Sequence, residues 1–296
     1  ENIKVNKSLT IKSENGSANC IVQAAAYDAV FHVTADNVNI SGFTIKDSEH
    51  GIYLDHAENC HIANNNVSGN GDNGICLSDS SNNVISGNNV SDGYLGISLW
   101  YSSNNSITSN NISENWAGIC LEKYSKGNNI TGNDVSNNMG LGGIYLRYSK
   151  SNKIAGNDVS DNGGGGISLL DSSDNNVITS NNVSNDNIRL YSSSNNVITD
   201  NTMTNGGIVI EGDELRHWNT HVIENNTVNG KPLYYFKDRI GGKVSEDAGQ
   251  VILANCTGML VENLDIRNTD VGILIGFSSQ NTIRNNNVSD NRNGIL

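Results

Sequence analysis

"NNVISGNNVSDGYLGISL" occupies residues 82–99, and "WYSSNNSITSNNISENWAGICL" follows it over residues 100–121 with the same pattern. Each has an asparagine pair, a lone Ile, a second asparagine pair, Val or Ile, then Gly-Ile-x-Leu. Asparagine favours neither helix nor strand interiors, so its recurrence needs an architectural reason. The Gly-Ile pair returns at Gly51, Gly74, Gly96, Gly118, Gly143 and Gly166, at spacings of 23, 22, 22, 25 and 23 residues. Each repeat carries three apolar anchors. The first follows the Gly (Ile52, Ile75, Ile97, Ile119); the second comes ten or eleven residues later (Ile62, Ile85, Ile107, Ile130); the third comes five after that (Val67, Val90, Ile112, Val135). The rhythm runs back to Val30, Ile40 and Ile45 and forward through Val251, Val261 and Ile266.

Segments this short, with period two as in Ile97-Ser98-Leu99, cannot be helices of ordinary length. Three strands per repeat, none able to bury its apolar face alone, predict a stacked solenoid: an all-β, right-handed, single-stranded parallel β-helix. Coils about 4.8 Å apart give twelve or thirteen turns and a rod roughly 60 Å long. One domain, 1–296, is expected. It divides into an irregular first coil (1–29), regular repeats (30–210), insertion-bearing coils (211–250) and terminal repeats (251–296) with the last coil incomplete.

The asparagines then become corner posts. Asn65, Asn88, Asn110, Asn133, Asn157, Asn181, Asn201, Asn226 and Asn286 each precede the third anchor by two residues. A second set, including Asn83, Asn105, Asn128, Asn152, Asn176, Asn196 and Asn281, precedes the second anchor. The first set is expected to take the left-handed conformation of a sharp turn, and the stacked amides to form ladders. The Gly before the first anchor is expected to be a third corner with positive φ.

The chain has 296 residues, 31 Gly, one Pro and a net charge of −13. So acidic a chain is not a general nucleic-acid binder. No apolar run is long enough to span a membrane. Cys76 and Cys120 share a position two coils apart, beyond disulfide reach; Cys60 replaces a ladder asparagine, and all five cysteines read as free or buried thiols. Twelve Asn-x-Ser/Thr sequons occur, several of them by-products of "NVS" in the repeat. Asn6, Asn15 and Asn255 are the isolated ones and the candidates for glycan attachment.

"NSITSNNISENWAGICL", "ENIKVNKSLTIKSENGS", "NNTVNGKPLYYFKDRIGGKV" and "AGQVILANCTGMLVENLDIRNTDVGILI" resemble right-handed parallel β-helix repeats of the NosD-like and carbohydrate-binding/sugar-hydrolase families. They most resemble those of methanogen-type archaeal cell-surface proteins. The resemblance covers nearly the whole chain and implies an extracellular, non-catalytic structural or adhesive protein. It also leaves open a carbohydrate-binding or polysaccharide-processing β-helix, or a NosD-like periplasmic copper-site accessory protein.

The strand of the first anchor has the most varied outer positions. Tyr53, Asp55, Trp100, Tyr101, Glu122, Tyr145, Arg147 and Tyr191 combine rings with carboxylates and guanidinium forks, the chemistry of a glycan-binding face. The alternative is a stacked ladder with a Glu122–Arg147 contact between coils. A glycosidase needs two carboxylates about 5–9.5 Å apart. Asp55 and Glu122 lie three coils apart, about 14 Å, so no catalytic residue is assigned. His217 and His221 have i, i+4 spacing in "HWNTH", a weak zinc or copper candidate lacking a third ligand; His50, His56 and His61 form a loose second group. Acidic turns such as "GNGDNG" (69–74) and "KDSEHG" (46–51) leave calcium open. Neither end reads as a capped coil, so end-to-end self-association into a filament or surface layer is expected, with cell-surface glycans as further partners.

Overall fold

The computed structural model describes residues 2–24 and 28–296. Three long sheets, one for each anchor, form the main stack, and two shorter ones of three and two strands lie toward the end of the chain. The first has ten strands from Ile3–Val5 to Ile208–Glu211; the second has ten from Thr10–Lys12 to Val222–Glu224; the third begins at Ile21–Gln23 and reaches fourteen. Like residues stack in register: Ile75 on Ile97 on Ile119, Ile85 on Ile107, and Val90 on Ile112. These anchors are fully buried and form one continuous core. At the start of the stack the register differs by one residue from the expected one. Phe31, not Val30, pairs with Ile3 and Ile52.

Both asparagine sets form buried ladders. The Asn88 backbone N–H and its Nδ2 both donate to Asn110 Oδ1, at 2.9 and 3.0 Å, and Nδ2 also donates to the Ile62 carbonyl at 2.9 Å. Each amide therefore satisfies the backbone of two neighbouring coils at a corner where no strand ladder can. The left-handed residue is not the ladder asparagine but the one before it: Asn64, Gly87, Ser109, Gly132, Gly156, Ser180 and Asp200 all have φ of 54–64°. The turning residue points outward, so its type varies. The asparagine after it, with negative φ, swings its amide inward. Gly51, Gly74, Gly96 and Gly118 do not have positive φ either; they are glycine for lack of space. A Cβ on Gly96 would sit 2.6 Å from both the Gly118 carbonyl oxygen and Ile112 Cγ2.

A third amide column closes the remaining corner. Asn115, Asn138 and Asn162 donate in turn to the rung above, and the column ends on Asp186, whose Oδ2 accepts the Asn162 N–H at 3.0 Å and Nδ2 at 2.9 Å. Cys60 does stand in for an amide, accepting the Val38 N–H at 3.5 Å.

The expected straight rod is interrupted after Val228. Thr227–Val228 pairs antiparallel with Lys231–Lys237 around Asn229 and Gly230, both left-handed at φ 51° and 76°, the geometry of a tight hairpin. Lys231–Lys237, Gln250–Ala254, Val271–Gly276 and Asn293–Ile295 then continue the third sheet as a short second stack with its own apolar cluster around Val251, Met259 and Val261. This unit caps the ten-rung stack. Gln250, fully buried, accepts the Ile208 N–H at 2.9 Å and donates to the Ile208 carbonyl at 2.8 Å, satisfying the first residue of the last strand of the first sheet. Lys237 Nζ takes the His221 carbonyl at 2.7 Å, and Thr269 Oγ1 the Gly206 carbonyl at 2.7 Å. The short helix Arg216–Asn219 lays Trp218 against Gly276. An edge that would template pairing with another chain is thus covered from within.

Candidate functional site: the outer face of the first sheet

The strands His50–Asp55, Asn73–Ser78, Leu95–Trp100, Ala117–Glu122 and Gly142–Arg147 present three outward rows. The middle row is covered. Cys76, Ser98, Cys120 and Tyr145 are buried, and Cys120 and Tyr145 pack in one cluster with Leu95 and Ala117. Tyr145, at 7% exposure, is therefore not a stacking surface for a ligand, and burial pushes its hydroxyl up to about 12. Burial likewise raises the Cys76 thiol to about 12 and lifts Cys120 further, so neither is a reactive thiolate. All five cysteines are free.

Tyr53 lies half-buried against His32, ring centroids 5.1 Å apart and planes within 17°. Burial raises the Asp55 carboxyl, but hydrogen bonds from His56 (2.6 Å) and His32 (3.4 Å) outweigh it and hold the pKa below the ordinary value. Asp55 is an ionised ion-pair partner, not a proton donor. Glu122 does not meet Arg147. The guanidinium instead reaches Asp171, whose Oδ2 lies 2.7 Å from Nε, because Asp171 lies at the corner of the following coil. Arg189 grips Glu211 in a forked ion pair and lies 5.8 Å from the Tyr191 ring.

The outermost row lies at the corner toward the second sheet. Tyr101, Tyr124 and Tyr148 follow one another with centroids 6.4 and 6.5 Å apart, at exposures of 51, 68 and 41%. Lys123 Nζ stands 4.6 Å from the centre of the Trp100 ring and 6.0 Å from that of Tyr101, and Arg147 lies 5.2 Å from Tyr148. Trp100, Tyr101 and Arg147 are therefore brought together, with Tyr124 and Tyr148 as additional members. Tyr53 and Asp55 lie on earlier coils, and Tyr191 on a later one. On the opposite border, Tyr94 stacks on Trp116 at 4.5 Å and 9°, while the other face of Trp116 lies on Gly140. The sequence reading did not single out this pair, because an insertion-tolerant loop precedes each Gly-Ile and masks its periodicity.

His221 is no metal ligand. Its Nδ1 accepts the Asn196 N–H at 3.2 Å, and its Nε2 bonds the His217 carbonyl at 2.9 Å inside the second amide column. Burial pushes it down to about 4, and both ring nitrogens are used. His56 pairs with Asp55, and His61 with Ser86 Oγ at 2.9 Å. Among the described residues no three His, Cys, Asp or Glu side chains converge on a metal position.

A polar cleft of about 430 Å³ separates the main stack from the capping unit, lined by residues including Asn162, Asp186, Asn187, Asp270, Asp290 and Arg292. Asp186 is its one carboxyl with a strongly raised pKa, pushed to about 6 by burial. It offers nothing to a substrate. Oδ2 is engaged with Asn162, and Oδ1 is shielded from solvent. Asn6, Asn15 and Asn255 are all exposed, and Asn255 Nδ2 also donates to Asp238 at 2.7 Å.

Stacked coils, buried amide columns and three sheets running along the stack define a parallel β-solenoid. The chain belongs to the family described as the right-handed beta helix region, whose model matches residues 28–183, 140–239 and 182–296. A cell surface glycoprotein of Methanothermus fervidus is 46% identical over 68 residues, which is 23% of this chain and 11% of that protein. The chain thus spans about a tenth of that relative. Among solved structures, the Dettilon tailspike protein superimposes with a TM-score of 0.62 at 18% identity, over all of this chain and 59% of that one. A DFA-IIIase from Arthrobacter chlorophenolicus A6 gives 0.56 at 14%, over 86% and 66%. A pectate lyase gives 0.53 at 14%, over 77% and 67%. Likeness at these identities is likeness of fold.

Proposed function

We propose that the chain is a non-catalytic structural and adhesive module of an archaeal cell surface: a stiff spacer whose long sides carry the contacts. The observation that carries this reading is the unbroken run of buried amide columns. In the column from Asn65 to Asn226, every rung donates its backbone N–H to the amide oxygen of the next. A corner with every group satisfied leaves little freedom between coils, which suits a load-bearing spacer. The identity to a cell surface glycoprotein supports the location.

The test is co-sedimentation of the purified protein with isolated cell envelopes, with reducing-end release from envelope polysaccharides followed in the same samples. Saturable retention without new reducing ends is expected. Release of reducing ends would favour polysaccharide processing, the second reading, which rests on fold likeness to a lyase and a DFA-IIIase.

A further inference from the structure

The 142 residues from Asp47 to Ile188 contain only five cationic side chains: Lys123, Lys126, Arg147, Lys150 and Lys153. All five belong to two successive coils: Arg147 ends a first-sheet strand, Lys123, Lys126 and Lys150 lie at the corner toward the second sheet, and Lys153 opens the second-sheet strand that follows. Within a stretch otherwise rich in carboxylates, this is a local positive strip. Two of the five are neutralised, Arg147 by Asp171 and Lys150 by Asp174, both at 2.7 Å. Lys123, Lys126 and Lys153 have no carboxylate partner among the described residues. Lys123 is held over Trp100 and Tyr101, which fixes its ammonium without cancelling its charge.

The tyrosine row runs through the same coils. Tyr101, Tyr124 and Tyr148 turn outward because each occupies a left-handed corner position, at φ 50°, 67° and 52°. Register then places one ring per coil in a line parallel to the solenoid axis. Flat apolar faces beside unpaired ammonium groups match an extended polymer that carries both ring faces and negative charge.

We propose that this corner binds an acidic glycan chain lying along the solenoid axis, with sugar faces on Tyr101, Tyr124 and Tyr148 and carboxylate or sulfate groups on Lys123, Lys126 and Lys153. The proposal rests on the adhesive reading above and names the ligand class and the residues that take it. The carboxylates of the neighbouring coils repel a polyanion beside this strip, and affinity falls as salt screens the strip's charge.

Affinity electrophoresis in gels containing polygalacturonate, dextran or poly(dT) tests the proposal. Polygalacturonate is expected to retard the protein and the other two are not. Tyr124→Ala should weaken retardation about tenfold. Lys126→Glu with Lys153→Glu should abolish it, at an unchanged melting temperature, since all three side chains are surface groups. Tyr94→Ala, on the opposite border, should leave it intact. Equal retardation by dextran, retardation by poly(dT), no retardation by any probe, or an unaffected Tyr124→Ala variant would overturn the proposal. Envelope co-sedimentation separates the two failures: retention by envelopes that survives Tyr124→Ala refutes this site but leaves the adhesive reading, whereas no retention of the parent protein refutes that reading itself.

Discussion

His221 takes the place of an asparagine above Asn196, and its Nδ1 accepts the Asn196 N–H at 3.2 Å. An amide oxygen accepts two bonds at this position; an imidazole nitrogen offers one lone pair. Asn196 Nδ2 is accordingly left buried without a partner. The second column thus ends on a titratable rung where the main stack meets its cap.

Burial lowers the His221 pKa from 6.5 to about 4, so the fold favours the neutral ring. That preference is fully present above pH 6.5 and is lost as pH falls toward 4, by on the order of 3 kcal/mol. His221→Asn should flatten this limb of the stability–pH curve and give Asn196 Nδ2 an acceptor. Urea denaturation at pH 7.5 and 4.5 measures it. An equal acid loss in the variant would contradict the assignment.

Asp186 carries the opposite sign. Its pKa rises from 3.8 to about 6, mainly through burial. In the rung below, Asn162 Nδ2 donates to the Val135 carbonyl at 3.1 Å; register gives Asp186 Oδ1 that place, where only a protonated carboxyl can donate. Stability from this group is present below pH 3.8 and is lost as pH rises through 6, by on the order of 2 kcal/mol. Asp186→Asn should raise the melting temperature at pH 7.5 by several degrees and leave it unchanged at pH 3.5. A fall at pH 7.5 would show that the carboxylate itself is needed.

Asn110 donates through Nδ2 to Ile85 and Thr108 carbonyls and to Asn133 Oδ1, and accepts twice from Asn88. Asn110→Leu strands several of these buried groups and should cost about 3 kcal/mol. Ser113→Ala, on the outer face of the third sheet, should cost less than about 0.5 kcal/mol. Chemical denaturation of both variants gives the comparison, and equal effects would refute the ladder register.

Two glycines separate crowding from backbone strain. A Cβ on Gly96 would lie 2.6 Å from a neighbouring coil, whereas at Gly132 nothing lies within 4 Å, although φ is 63°. Gly96→Ala should cost about 2–4 kcal/mol by forcing coils apart; Gly132→Ala, about 1–2 kcal/mol from its left-handed backbone alone. Thermal unfolding of the pair ranks them, and the reverse order would contradict the packing described.

The solenoid was readable because Ile75, Ile85 and Val90 return every coil and nothing else explains that spacing. The amide columns followed from the same spacing, but their conformation did not. A sequence shows that a corner exists near Asn88, and only the backbone shows that Gly87 makes the turn. The column through Asn115, Asn138 and Asn162 had a usable signal, a fixed offset of three residues after the third anchor, hidden by the variable loop that follows. "VNGK" at residues 228–231 is a hairpin signal, overlooked inside a repeat taken to be continuous. At the candidate site, Trp100, Tyr101 and Arg147 are singled out because outward positions alternate along a strand. The sequence could not show that Tyr145 is buried in a cluster with Cys120, Ala117 and Leu95, because alternation gives a residue's side of the sheet and not what else packs there.

The most direct test of the account is immunogold labelling of thin sections from cells that make the protein, using antibodies against the folded chain. Gold confined to the outer face of the envelope is the predicted result. Gold spread through the cytoplasm would contradict a cell-surface module.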